Sequence, residues 1–117
     1  MTRILVVDDK EMMRDSVGAM LASKGHSILV SASAPEAIEK IDSKSFDVVI
    51  TDLQMPDMDG VELLRAIRER DETLPVILMT AFASVESAVE AMKFGAYDYI
   101  TKPFSKSVSQ AIQHALP

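Results

Sequence analysis

The chain has 117 residues, enough for one hydrophobic core and too few for two. Apolar residues make up 48% and charged residues 26%, the balance of a globular rather than a disordered protein. With 18 acidic against 12 basic residues the net charge is −6, which disfavours direct binding to nucleic acid, and the absence of cysteine excludes disulfides and thiolate metal sites.

Arg3 leads straight into a first apolar run, Ile4–Val7, which two aspartates, Asp8 and Asp9, bring to an end. Met12, Val17, Met20 and Leu21 follow at helical spacing, and Gly25 ends the helix they imply. Ile28–Val30 reads as a second strand running out into Ser31 and Ala32, small residues without chemistry of their own. Ser33-Ala34-Pro35-Glu36 opens a second helix with a capping serine, a first-turn proline and a glutamate three residues on; Ala37, Ile38 and Ile41 continue its apolar face. Val48–Ile50 is a third strand ending in Thr51-Asp52. Behind Gly60, the residues Val61, Leu63, Leu64 and Ile67 build a third helix, with Asp59 as its cap and Asp57 facing solvent. Val76–Met79 leads to Thr80-Ala81, and Val85, Ala88, Val89 and Met92 build a fourth helix that stops near Gly95. Tyr97–Ile100 leads to Thr101-Lys102-Pro103, and Phe104, Val108, Ala111, Ile112 and Ala115 give a fifth helix. His26 and His114 have no metal-ligand spacing and read as surface residues.

Strand and helix thus alternate five times. Near-continuous Val/Ile runs mark strands covered on both faces, so the expected fold is α/β: a five-stranded parallel sheet, doubly wound, with helices on both faces. Five units are too few for an eight-unit barrel. No linker or repeat divides the chain, and residues 1–117 read as one domain. No apolar run reaches the ~18 residues of a membrane span, and the first run is too short for a signal peptide, so a cytoplasmic location is expected.

Ligands of open parallel sheets bind beyond the carboxyl ends of the strands. Asp8, Asp9, Asp52, Thr80 and Lys102 all fall there. Singly, each has an ordinary explanation: an aspartate after a strand caps a helix, a threonine is structural, a lysine is solvated. Jointly they form a chemical set. Three carboxylates in one crevice repel one another and favour a hard divalent cation such as Mg²⁺, which binds through one or two carboxylates plus a phosphate oxygen. A carboxylate beside such an ion can attack phosphorus, with an ammonium and a hydroxyl available to the transferred group.

These residues carry a resemblance. Over its whole length the chain resembles the response-regulator receiver domains of two-component systems, through Ile4-Leu5-Val6-Val7-Asp8-Asp9, the stretch from Asp52 to Gly60, Met79-Thr80-Ala81 and Lys102-Pro103-Phe104. The resemblance implies the flavodoxin-like strand order 2-1-3-4-5, of which receivers are an example. It implies that Asp52 is the phosphoacceptor, that Asp8, Asp9, Asp52 and the backbone carbonyl of Gln54 hold Mg²⁺ (Asp8 through water), and that Thr80 and Lys102 meet the phosphoryl oxygens. It also implies a cis Lys102–Pro103 peptide, and a switch in which Thr80 and Tyr99 move and the surface of the fourth helix, fifth strand and fifth helix changes. Gln54 and Phe82 match positions that tune phosphate lifetime. Lys10 departs from the commoner pattern, standing where many receivers carry a further acid; the metal site does not need that acid, and the added positive charge bears on kinase docking or metal affinity.

The implied partners are a sensor histidine kinase and an effector domain. The stretch from Thr80 to Tyr99 resembles the nitrogen-regulator class, whose receivers precede an ATPase domain acting on an alternative sigma factor and a DNA-binding domain. On that reading the chain is a receiver excised from a longer transcription regulator and forms a phosphorylation-dependent homodimer. Two other readings fit less well. A haloacid-dehalogenase-type phosphatase needs an acid two residues after its nucleophile, where this chain has Gln54. A receiver-like module that is never phosphorylated has no need of the complete set of three aspartates, Thr80 and Lys102. The expectation is a signalling switch that catalyses only its own phosphoryl transfer and dephosphorylation.

Overall fold

A computed structural model describes residues 2–53, 55, 59–80, 85–101 and 112–115. Five strands, β1 (Arg3–Val7), β2 (Ser27–Ser31), β3 (Val48–Asp52), β4 (Val76–Thr80) and β5 (Asp98–Thr101), pair in parallel in the order β2-β1-β3-β4-β5. Helices α1 (Glu11–Ser23), α2 (Ala34–Ser43), α3 (Gly60–Arg70) and α4 (Val85–Lys93) connect them. Residues 112–115 are helical as well. The expected fold class and strand order are both present.

The side-chain alternation of the strands divides the apolar interior of this one domain into two layers, one on each face of the sheet. Leu5, Val7, Val49, Val76 and Leu78 point to one face and pack with Ala37 of α2, Leu63, Leu64 and Ile67 of α3, and Ala91 of α4. Ile4, Val6, Val48, Ile50, Ile77, Met79 and Ile100 point to the other, against Val17 and Leu21 of α1 and Ile112. The central strands are buried throughout, which is why they read as unbroken apolar runs.

The helix ends follow from local chemistry. Ser33 caps α2, its hydroxyl accepting the Glu36 N–H at 3.3 Å, and Asp59 caps α3, taking the Glu62 N–H at 2.8 Å. α1 and α4 both close on a glycine at positive φ, Gly25 at 91° and Gly95 at 88°. In each the next residue reaches back, His26 N–H to the Leu21 carbonyl and Ala96 N–H to the Ala91 carbonyl, satisfying the last turn.

Several sequence expectations change. Met12 is 83% exposed and takes no part in the core, and Val89 and Met92 of α4 are half exposed. β5 begins at Asp98, leaving Tyr97 outside the strand and partly exposed. β2 is longer than its apolar run, because Ser27 and Ser31 join the ladder opposite Arg3 and Val7. His26 is partly buried, whereas His114 is exposed as expected. Of the fifth helix, Phe104, Val108 and Ala111 lie outside the described residues.

Gly60 ties the fold to the end of β3. Its N–H donates to the Leu53 carbonyl at 2.7 Å. A Cβ there would sit 2.6 Å from the Asp52 carbonyl oxygen and 2.8 Å from the Leu53 Cα. Both are backbone atoms and have no rotamer to give way. Gly60→Ala is therefore expected to cost about 2 kcal/mol or more by overpacking, despite alanine's better helix propensity. Urea unfolding checks this; an unchanged midpoint would show that α3 can draw back from β3.

Candidate functional site

The parallel register decides which side chains meet. Val7 pairs with Thr51, so Asp8, one residue beyond β1, comes alongside Asp52 at the end of β3. Asp52 pairs with Met79, so Thr80 closes the next strand. In phase with Val6 and Ile50, Asp8 and Asp52 belong to the face that α1 covers. The Asp8 side chain is wholly buried, and Asp52 and Thr80 nearly so. Asp9 stands at the solvent side.

The turn from β1 into α1 shapes this edge. The Lys10 N–H donates to Asp8 Oδ1 at 2.9 Å, closing a tight turn that delivers the chain into the helix. Arg14, one turn into α1, donates from Nη1 to the Asp8 backbone carbonyl at 2.8 Å. The Asp8 N–H continues the sheet by donating to the Ser31 carbonyl at 3.1 Å. Asp8 thus has a structural part in the turn, as an aspartate after a strand often does. Asp52 instead ends a strand that runs on through the Leu53 N–H to the Met79 carbonyl.

One carboxylate oxygen from each of Asp8, Asp9 and Asp52 lies within 4.8 Å of the others. The Lys10 ammonium stands 3.6 Å from Asp9 Oδ1 and 3.9 Å from Asp52 Oδ2. Three carboxylates at this separation, two of them out of solvent, carry a desolvation and repulsion cost that a cation relieves. The donors are all oxygen, open to solvent on the Asp9 side and set close enough to share one ion. That chemistry fits Mg²⁺ and does not fit a softer metal.

The other expected residues fall into three groups. Thr80 is buried at the end of β4, one strand from Asp52. Tyr99, opposite Leu78 in β5, is half-buried and packs against the core on the α3 and α4 face. Gln54, Lys102, Pro103, Phe82 and Asp57 lie outside the described residues.

Three basic residues acquire parts that their spacing did not reveal. Lys10 and Arg14 are described above. Lys40 of α2 reaches over the end of β2, donating to Ser31 Oγ at 3.2 Å, to the Val30 carbonyl and to Glu36 Oε1 at 2.9 Å. Its hydrogen bond is the main reason the Glu36 carboxyl is held below the usual carboxylate range, against an opposing effect of burial. Ser31 is therefore a buried partner of this network rather than an idle strand end. The one available signal was the one-turn offset of Lys40 from Glu36, which foretells their ion pair but not the reach to Ser31.

Comparison with known proteins bears on this site. The family described as "Response regulator receiver domain" matches residues 4–113. The transcriptional regulatory protein ZraR of Klebsiella oxytoca is 40% identical over 116 residues, which cover 95% of this chain and 26% of ZraR. The chain thus spans about a quarter of the length of that relative. The solution structure of the beryllofluoride-activated NtrC4 receiver domain dimer superposes with a TM-score of 0.94 at 39% identity, covering 99% of this chain and 97% of that one. The chemotaxis protein CheY4 of Vibrio cholerae superposes at 0.95 with 31% identity, covering 99% of both chains.

The charge cluster makes a stability prediction. Asp52→Asn keeps the shape of the side chain and removes one of three crowded charges. Coulomb repulsion at this separation is worth about 1 kcal/mol even in a water-like dielectric, or roughly 4 °C for a domain of this size. In chelator-containing buffer the variant is expected to melt higher than the parent. A lower melting temperature without metal would show that the carboxylates do not strain the fold.

Proposed function

The chain belongs to the response regulator receiver family, and from that premise we propose that Asp52 accepts a phosphoryl group from a sensor histidine kinase. Receivers are signalling switches of two-component systems, and the relatives of this one are transcription regulators with further domains. The observation that carries the proposal is the meeting of Asp8, Asp9 and Asp52 beyond the carboxyl ends of β1 and β3, with Asp8 and Asp52 buried.

Each residue has a distinct part. An Asp52 carboxylate oxygen attacks phosphorus on the phosphohistidine of the kinase. A P–O bond forms as the P–N bond breaks, and the electron pair stays on the imidazole nitrogen. Burial strips water from the Asp52 carboxylate and fixes its direction, so little reorganisation is left for the transfer. Asp8, Asp9, Asp52 and the Gln54 carbonyl would hold Mg²⁺, with Asp8 acting through water. When bound, the ion would neutralise charge on the phosphoryl oxygens. The Thr80 hydroxyl donates to one of those oxygens, and the Lys102 ammonium pairs with another.

The product adds about −1.5 to −2 charges and three acceptor oxygens at the end of β3. Thr80 moves to meet them and draws on the connection into α4. Tyr99, half-buried in β5, follows inward. The changed surface is that of α4, β5 and the final helix, where Val89, Met92 and Tyr97 expose apolar area. That surface suits an effector domain or a second copy of the chain, and the NtrC4 receiver, activated with a phosphoryl mimic, is a dimer. The output is transcriptional, in the cytoplasm, through an ATPase and a DNA-binding domain of the nitrogen-regulator class. No helix among the described residues is long and apolar enough to cross a membrane.

Incubation with acetyl phosphate and Mg²⁺ tests the reading. Intact-mass measurement is expected to show one phosphoryl adduct, absent in chelator and absent in Asp52→Asn. An adduct that persists in Asp52→Asn would move the acceptor elsewhere. Repeated turnover of an ordinary phosphate monoester would make the protein a phosphatase instead.

A further inference from the structure

Resting on the metal and phosphoryl site proposed above, the geometry points to Lys10 as a counter-cation of the metal-free acid cluster, one that a divalent ion must displace. The Lys10 ammonium lies between two members of the cluster, 3.6 Å from Asp9 Oδ1 and 3.9 Å from Asp52 Oδ2. Those two carboxylates belong to the triad whose oxygens lie within 4.8 Å of one another. An ammonium and a divalent ion bound to the same oxygens compete, because each leaves the other facing unneutralised positive charge. Lys10 thus sets the affinity for the ion: it lowers affinity without being a ligand.

Three details suit Lys10 to this part. Its backbone N–H already closes the Asp8 turn, a bond that any non-proline residue supplies, so the side chain has no structural duty there. It is the N-cap of α1 but its side chain makes no capping bond. The side chain is 63% exposed, so it can swing into solvent when an ion arrives, whereas its Asp52 partner is 4% exposed and remains in place. An exposed ammonium is a weak competitor, as exposed ion pairs generally are. Its effect is therefore a graded shift of metal affinity rather than a block, and salt reduces it.

The consequence is a site occupied by charge in either condition. Without metal, Lys10 offsets part of the repulsion between Asp9 and Asp52. With metal, Lys10 is released at the mouth of the site, where the phosphoryl donor approaches.

Lys10→Gln tests this, since glutamine keeps an unbranched polar side chain and the backbone N–H while removing the charge. Two readouts are needed, both on the unphosphorylated protein. Isothermal titration with Mg²⁺ at low ionic strength is expected to give a dissociation constant more than about twofold tighter than the parent's. Melting in chelator is expected to occur at a lower temperature for Lys10→Gln than for the parent, and this loss is expected to shrink in an Asp52→Asn background, as a double-mutant cycle requires of a direct pair. An affinity change under about twofold, or a melting loss the same in both backgrounds, would overturn the proposal. If neither protein binds Mg²⁺, the proposed metal site fails and so does the competition. The metal-free cycle would still decide separately whether Lys10 is a counter-cation of the cluster.

Discussion

Two carboxylates held out of water beside a third are the constraint around which this molecule is organised. Asp8 and Asp52 sit at adjacent strand ends, almost fully buried, with Asp9 against them. A charge in that position is unfavourable unless something opposes it. The fold tolerates it because strands buried on both faces leave no freedom at their ends. Leu5, Val7 and Val49 are fixed against α2 and α3, and Ile4, Val6 and Ile50 against α1. The apolar runs that make the sheet cohere also hold the acids where they repel.

That tension can be turned to use. A divalent ion or an ammonium relieves it, and the proposed phosphoryl group on Asp52 would enlarge the negative charge and change its shape. Basic side chains surround the cluster at graded distances: Lys10 on the carboxylates, Arg14 on the Asp8 carbonyl, and Lys40 one strand further out on Ser31 and Glu36. α3 backs the end of β3, with Gly60 so close to the Asp52 carbonyl that no side chain fits between them. The C-terminal end of α4 is tied down by Arg68, which donates to the carbonyls of Leu74 and Gly95, each at 2.7 Å. The proposed movement of Thr80 would therefore have a fixed far end to pivot against.

Much of this was legible in the residues. Buried parallel strands announce themselves as Val/Ile runs, and the acids that end those runs fall at one edge because parallel strands share a direction. The capping groups Ser33 and Asp59 and the stop glycines Gly25 and Gly95 were readable because each acts through backbone a few residues away. What escaped was tertiary. Helical spacing assigned Met12, Val89 and Met92 to apolar faces, yet spacing does not say whether anything covers a face. Ser27 and Ser31 looked too polar for a strand, but pairing with β1 enlisted them through their backbone. The reach of Lys10, Arg14 and Lys40 depends on flexible side chains crossing between elements, which no sequence interval encodes.

Chemical mapping of the acceptor tests the central claim most directly. Acyl phosphates on aspartate are reduced by borohydride, so the phosphorylated protein can be trapped, digested and sequenced by mass spectrometry. The account predicts a single reduced position, 52, in the peptide that carries the end of β3. Reduction at Asp8 or Asp9, or at no aspartate in a protein that has taken up phosphate, would contradict it.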